Sequence, residues 1–333
     1  MSNCSNNRNS NYIISICFVF LIVVSCQKKQ NTELKGPVFG TGYSIIYDSE
    51  IDYIEQIDSL FNEVNQSLST YIPNSDISRL NRNESVEIDR HFKEVFKKSR
   101  EIYNRTNGLF DPTIGDVVNA WKFGAEKKKF LTDSVTIDSL MQFVGFDKVR
   151  LSLGNVQKQK NTYLEFNAIA KGYGVDVIAE FLNSKRIENY LIEIGGEIRL
   201  KGINAEKKAP WKVGLDEPRF DGRQSIFKAI SFTDAAMATS GTYRKFKLDS
   251  SGNRYAHIID TKTGYPTKTN ILSVSVIAND CMTADGYATA FQAMGLNKLK
   301  QFSETHPELK VFAIYDNGTE ELQTLNLNGF PEE

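Results

Sequence analysis

Two oxygen-bearing side chains stand four residues apart in the segment TADGYATA, the spacing of neighbours on one face of a helix. Asp285 supplies a carboxylate and Thr289 a hydroxyl. Together they suit a hard cation such as Mg²⁺, which takes oxygen ligands and usually keeps some of its water. The plainer interpretation is an acid favoured by the helix dipole at Asp285 and an inward-packed Thr289. The pair alone does not decide between the two.

A second segment, NAIAKGYGVD, could hold a phosphate. We expect it to begin at the end of a strand and to continue into a helix. Small residues at such a turn let a ligand approach the backbone closely, and the first turn of the helix offers free amide groups. Lys171 adds a cation. The segment lacks the spacing of a Walker loop, and a turn that serves only packing explains it equally well.

Composition excludes one class of partner. The chain has 333 residues with 40 basic and 41 acidic side chains, a net charge of −1. Binding to nucleic acid through phosphate neutralisation is therefore not expected. The hydrophobic fraction of 41% is ordinary for a globular protein.

The N-terminus predicts export and lipidation. Arg8 precedes an apolar run over 13–24, which is short for a membrane span and typical of a secretory leader. The run ends in Val-Val-Ser-Cys, so Cys26 is the expected lipidated N-terminus; an uncleaved signal anchor is the alternative. We therefore predict a signal peptide at 1–25, a tether at 26–36 and one domain at 37–333. Only one of the four cysteines, Cys281, lies in that domain, which excludes an internal disulfide.

The periodicity of the remaining chain predicts an α+β fold. Strands and helices succeed one another, and the chain closes on a hairpin with the turn sequence Asp-Asn-Gly. The main predicted strands are 41–47, 190–194, 198–200, 211–215, 229–233, 271–277, 311–315 and 322–327. The main predicted helices follow the apolar positions within 51–68, 92–103, 137–144, 168–181 and 284–294.

The ordered set of sequence blocks resembles the ApbE family of FAD:protein FMN transferases. The blocks are FGTGYSI, LSTYIPNSDISRLN, GLFDPTIG…WKFG, NAIAKGYGVD, IGGEIRLKG, ATSGTYR, HIIDTKTGYP and TADGYATA. They span residues 38 to about 295. Each block is weak by itself, whereas the full set in this order is highly specific.

The resemblance implies two intimately packed α/β subdomains around a flavin cleft. It implies Mg²⁺-dependent transfer of the FMN moiety of FAD to a Thr or Ser hydroxyl of an exported redox protein, such as a subunit of a membrane redox complex, with release of AMP. The protein would face the periplasm from the bacterial cell envelope, anchored to the membrane by lipid. The alternatives are an FAD pyrophosphatase and a flavin-binding lipoprotein without enzymatic activity.

The same resemblance assigns site residues by position. The metal would be held by the Ala168 carbonyl, Asp285 and Thr289, and Lys171 would lie beside the pyrophosphate. The residues expected along FAD are Phe39, Tyr71, Leu109, Phe110, Asp111, Glu165, Lys171 and Ile258.

The chemistry also calls for a base that takes the proton of the acceptor hydroxyl. Histidine titrates in the right range, so His257 is the candidate, with Asp260 expected to orient it. A structural histidine bonded to a backbone carbonyl is the alternative.

Overall fold

A computed structural model describes residue 1 and residues 31–126, 133–152, 154–243, 245–248, 254–319 and 321–332. Cys26 and residues 2–25 of the predicted leader lie outside these ranges. Within them, no helix is both long and apolar enough to span a bilayer.

The secondary structure follows the predicted alternation. The strands are β1 Thr32–Val38, β2 Thr41–Tyr47, β3 Arg150–Ser152, β4 Asn155–Gln157, β5 Tyr190–Ile194, β6 Glu197–Lys201, β7 Lys212–Asp216, β8 Ile226–Ser231, β9 Ala235–Gly241, β10 Phe246–Leu248, β11 Arg254–Ala256, β12 Ile271–Ala278, β13 Lys310–Tyr315 and β14 Gln323–Leu327. The α-helices are α1 Ile54–Leu68, α2 Asp76–Asn81, α3 Arg90–Arg105, α4 Gly115–Ala120, α5 Ser134–Met141, α6 Ala170–Ser184, α7 Cys281–Met294 and α8 Leu296–Thr305.

The first strand corrects the predicted tether. Residues 32–36 belong to β1, which pairs along its whole length with β2. Leu34 and Val38 alternate inward and are buried, so this part of the chain is fixed by sheet pairing and apolar burial. The predicted strand 41–47 is present, but it is the second in the sheet.

The body of the protein is an eight-stranded sheet in the order β1-β2-β5-β6-β9-β12-β13-β14, with every neighbouring pair antiparallel. Helices α6 and α7 cover one face, where they pack against β5, β6, β9 and β12. The hairpin β7–β8 covers part of the opposite face through an apolar cluster that includes Trp211, Ile230 and Met237. The α+β class is therefore confirmed.

A smaller apolar cluster lies apart from the sheet. It is formed by Val117, Ala120, Ile137, Val144 and Ile259, and it holds together α4, α5 and the segment around residue 259. The candidate site lies between this cluster and the sheet with α6 and α7, which agrees with the expected cleft between two subdomains.

Candidate active site

The crossing of α6 and α7 positions the acidic residue of the site. The amide of Gly172 donates a hydrogen bond of 3.0 Å to Oδ2 of Asp285. A Cβ atom at Gly172 would lie 2.8 Å from Cβ of Asp285, so glycine is needed for this approach. One amide of the helix start expected to bind phosphate is thus used by Asp285.

The start of α7 is held by a second buried acid. Asp176 accepts hydrogen bonds from the amides of Cys281 at 2.9 Å and Met282 at 2.8 Å, and the side chain of Asp280 accepts one from Thr283 at 2.7 Å. These contacts satisfy amides that a helix start leaves unpaired. They fix the end of α7 from which Asp285 projects.

The predicted metal-binding residues share one cavity. Ala168, Asp285 and Thr289 all line it, and Asp285 is 6% exposed. Burial and, to a smaller extent, the charge of Glu197 raise the pKa of Asp285 to about 7, although Lys171 opposes the rise. A bound cation would relieve the cost of this buried carboxylate.

Glu197, which the sequence analysis did not assign a role, is central to the site. Its Oε1 lies 2.5 Å from Nζ of Lys171, and its side chain is 2% exposed. Among the described residues, its Oε2 has no hydrogen-bond partner although it is buried. Lys171 therefore reaches the cavity as one half of an ion pair whose acid still has an unused acceptor.

The residues expected along FAD gather around this cluster. The cavity has a volume of about 260 Å³. The predicted residues that line it are Tyr71, Leu109, Phe110, Asp111, Ala168, Glu165, Lys171, His257, Ile258, Asp285 and Thr289. Further lining residues that the sequence analysis did not assign to FAD or metal include Asn167, Glu197, Thr239, Ser240, Lys245 and Thr261.

The carboxylate of Asp111 is used for hydrogen bonds that stabilise its own loop. Its Oδ1 accepts hydrogen bonds from the amide of Thr113 at 2.8 Å and from the Thr113 hydroxyl at 2.6 Å, while Oδ2 accepts one from the Phe146 amide. Burial raises the pKa of this carboxyl. The side chain therefore fixes the turn at one wall of the cavity.

Glu165 and Tyr71 form another wall. Oε2 of Glu165 accepts a hydrogen bond of 2.9 Å from the side-chain amide of Asn167. Burial raises the pKa of Glu165 to about 7. Tyr71 is 60% exposed, and its partial burial together with the charge of Glu165 raises the pKa of its hydroxyl. An exposed ring beside a shielded acid suits stacking against a planar ligand.

Phe39 lines a neighbouring cavity rather than the first. This second cavity has a volume of about 580 Å³ and shares Tyr71, Asn167 and Lys171 with the first. Phe39 has a φ of 49° and its ring lies 5.5 Å from that of Phe61. The two adjoining cavities give an elongated ligand two compartments joined at Lys171.

The structure corrects the expected partner of His257. Its Nδ1 lies 3.0 Å from the carbonyl oxygen of Lys245. Asp260 is not among the described residues that line the cavity, and its Oδ1 accepts the amides of Lys262 at 2.7 Å and Thr263 at 3.3 Å. Asp260 shapes a turn, whereas the Lys245 carbonyl orients the histidine.

Comparison with known proteins gives a consistent result. A sequence model of the ApbE family matches residues 39–313. A Vibrio cholerae FAD:protein FMN transferase is 35% identical, with 96% of this chain and 98% of that protein covered. A Haemophilus influenzae protein of the same name is 36% identical, with 90% and 91% covered.

Solved structures agree in fold. The flavin transferase ApbE of Vibrio cholerae superposes with a TM-score of 0.80 at 34% identity, covering 90% of this chain and 97% of that one. The ApbE protein of Thermotoga maritima gives a TM-score of 0.77 at 26% identity, covering 88% and 96%.

Proposed function

Because the chain belongs to the ApbE family, we propose that it transfers the FMN moiety of FAD to a Thr or Ser hydroxyl of an exported redox protein and releases AMP. The observation that carries this proposal is the cluster of Lys171, Glu197 and Asp285, in which both acids are buried and the partly exposed Lys171 lies where the two cavities meet. An elongated dinucleotide lying in both cavities would have its pyrophosphate beside this cluster.

The bond changes balance without an oxidant or reductant. The acceptor oxygen attacks the phosphorus of the FMN half and forms a phosphoester bond. The bond from that phosphorus to the bridging oxygen breaks, and AMP leaves with the bridging oxygen. The hydroxyl proton passes to a base. Such a transfer depends mainly on positioning and on stabilising negative charge.

The residues present fit a Mg²⁺ ion. The described residues contain no cluster of three or more His, Cys, Asp and Glu side chains that could hold a metal. A set of one carboxylate, one hydroxyl and one carbonyl suits Mg²⁺, which takes few protein ligands and completes its shell with substrate phosphates and water. Asp285, Thr289 and the Ala168 carbonyl would hold it. When bound, the ion neutralises charge on the phosphates.

His257 is the proposed base. With Nδ1 beside the Lys245 carbonyl, a proton on Nδ1 leaves Nε2 as the acceptor. His257 lines the same cavity as Lys171 and Asp285. The imidazole could then take the proton of an acceptor hydroxyl in that cavity.

The proposed location is the bacterial cell envelope, where the chain faces the periplasm from a lipid anchor on Cys26. The support is the apolar run over 13–24 that ends just before this cysteine. Strand β1 begins at Thr32, so few residues separate the proposed anchor from the sheet.

The experiment is incubation of the protein with FAD, Mg²⁺ and a threonine-containing acceptor, followed by mass spectrometry of the acceptor and quantification of AMP. We expect one FMN adduct per AMP released. AMP released in equal amounts with and without acceptor, and no adduct, would instead establish an FAD pyrophosphatase. Binding of FAD without release of AMP would indicate a flavin-binding protein without enzymatic activity.

A further inference from the structure

A third and larger cavity lies on the face of the sheet opposite α6 and α7. Its volume is about 1030 Å³. The sheet forms its floor, with Ser44 and Glu193 on β2 and β5, and the hairpin β7–β8 with its loop forms one wall. We call this cavity the sheet groove.

The groove crosses successive strands of the sheet. It runs from Lys35 on β1 across Ser44, Glu193 and Ile198 to Met237 on β9. Five strands have four spacings of about 4.8 Å, so the floor is roughly 19 Å long. An extended chain advances about 3.3 Å per residue, so the floor matches a segment of about six residues.

An opening in the sheet joins this groove to the candidate active site. Strands β6 and β9 pair only from Leu200↔Ala235 to Ile198↔Met237. Beyond that point β9 continues beside β12 as far as Gly241, while the chain of β6 turns back at Gly195 and Gly196. The two strands therefore part at the end of the sheet.

Thr239 lies at this opening. It lines both the sheet groove and the cavity that holds Lys171 and Asp285. Its hydroxyl lies 2.8 Å from that of Ser275, which fixes its position on β9. Oε1 of Glu193 accepts a hydrogen bond of 2.6 Å from the Gly196 amide and holds the turn on the other side of the opening.

The walls of the groove suit a polypeptide more than a small charged ligand. Glycines line it at 36, 42, 195, 196, 214 and 222. A Cβ atom at Gly222 would meet nothing within 4 Å, so a main chain can approach there, and Ile226 is 68% exposed at the hairpin wall. The charges are mixed, with Lys35, Arg219 and Arg223 against Glu193, Asp216 and Glu217. Such a surface offers no uniform field for an anion.

We propose that the sheet groove binds an extended segment of the acceptor protein, whose Thr or Ser hydroxyl enters the active site past Thr239. The inference rests on the proposed function. If FAD occupies the two cavities joined at Lys171, the acceptor needs a separate approach to the phosphate. The sheet groove supplies one because it meets the active site at Thr239.

The test fills the groove at a distance from the two cavities joined at Lys171, which we call the flavin cavities. Ser44→Trp places an indole on the groove floor at a residue that lines neither flavin cavity. Ser44→Ala removes the hydroxyl without adding bulk, and Ser59→Trp adds an indole on the exposed side of α1. The probe is a pool of synthetic dodecapeptides with one central threonine between randomised residues, supplied with FAD and Mg²⁺.

We expect Ser44→Trp to lower kcat/KM for FMN transfer to peptide at least tenfold. FAD affinity and Tm should stay near the parent values, and both control variants should transfer as the parent does. Transfer by Ser44→Trp at the parent rate, in a folded variant, would overturn the groove inference alone. If the parent chain itself modifies no peptide in the pool, the result counts against the proposed function.

Discussion

Nζ of Lys171 and Oε1 of Glu197 lie 2.5 Å apart, and the lysine is 30% exposed while the acid is 2% exposed. The acid thus holds a partly accessible cation at the junction of the two flavin cavities. Its negative charge also raises the pKa of Asp285. Glu197 is therefore a positioning residue that acts through both neighbours.

Replacing Glu197 by Gln should lower FMN transfer, because Lys171 loses its charged partner, and should shift the pH profile. Removal of the negative charge lowers the pKa of Asp285. The fall in transfer rate at low pH, which is the acid limb of the pH–rate profile, should therefore move to lower pH. Glu188→Gln removes an exposed acid that pairs with Lys201 and serves as the control. A reduced rate with an unmoved acid limb would assign Glu197 a purely structural role.

Replacing Asp285 by Asn should separate catalysis from folding. Asparagine can still accept the Gly172 amide hydrogen, and it removes a carboxylate whose ionised form is penalised by burial. Tm at pH 8 should therefore stay equal or rise. Transfer should fall by more than the ~10–100-fold that changes outside a metal's direct ligands cost.

The Mg²⁺ dependence of the Asp285 variant decides the metal assignment. Transfer is measured over a Mg²⁺ titration, with Asp138→Asn on the exposed side of α5 as the control. Normal turnover by Asp285→Asn at limiting Mg²⁺ would show that this carboxylate holds no catalytic metal.

Replacing His257 by Ala should abolish general-base assistance, whereas the binding of FAD should be almost unchanged. A positioned base supplies ~10²–10⁴-fold in rate, so transfer should fall within that range while FAD affinity changes only a few-fold. His306→Ala is the comparator, since that ring stacks on Phe302 and does not line the flavin cavities.

A purely structural His257 predicts a different pattern. Its Nδ1 contact with the Lys245 carbonyl would then matter only for folding. Tm, FAD affinity and transfer would decline together in His257→Ala. A folded variant that binds FAD and transfers FMN at the parent rate would remove His257 from the mechanism.

Stability should depend on the ionisation of Asp176. Burial raises its pKa from 3.8 to about 6, although Arg199 opposes the rise. Between about pH 4 and 6 the native state keeps a proton that the unfolded chain releases, so its stability falls as pH rises. This difference in pKa between the folded and unfolded chain corresponds to a loss of about 3 kcal/mol in the free energy of unfolding as the pH rises past 6.

Denaturant unfolding of the parent and Asp176→Asn at pH 4 and pH 6 measures this effect. The parent should lose stability relative to the variant across the interval, because asparagine does not titrate. If the parent gains stability instead, the Arg199 ion pair outweighs the burial of the carboxylate.

Replacing Cys26 by Ser should prevent lipidation. The variant should accumulate as unprocessed precursor or leave the membrane fraction, which immunoblotting of fractionated cells detects. A serine elsewhere in the leader, at Cys17, is the matched control. Normal processing and membrane attachment of Cys26→Ser would contradict the proposed lipid anchor.

The sequence predicts well those parts of the site that lie in one continuous segment. Asp285 and Thr289 fall on one helix face because their spacing is set by helix geometry alone. Glu197 could not be recognised in this way. An acid after two glycines is typical of an exposed turn, and only the packing of α6 beside β6 brings it to Lys171.

Proximity in sequence also misled the assignment of a partner for His257. Asp260 is three residues away, but the turn that follows uses its carboxylate. Lys245, twelve residues away, reaches the imidazole because β10 and β11 form a hairpin. Strand β9 was not predicted as a strand since its small residues have weak β propensity; its pairing with β6 and β12 supplies the stability.

The order of strands has a kinetic consequence. Tyr43 pairs with Ile194, Arg199 with Ala236 and Thr239 with Ser275, so distant parts of the chain must meet to form the middle of the sheet. Folding slows as contacts become less local. The hairpin of β1 and β2 can join the sheet only after β5 has been synthesised. The cavity that holds Lys171 is complete only after α7 has packed. Most of the chain must therefore be synthesised before the sheet can form and a dinucleotide can bind.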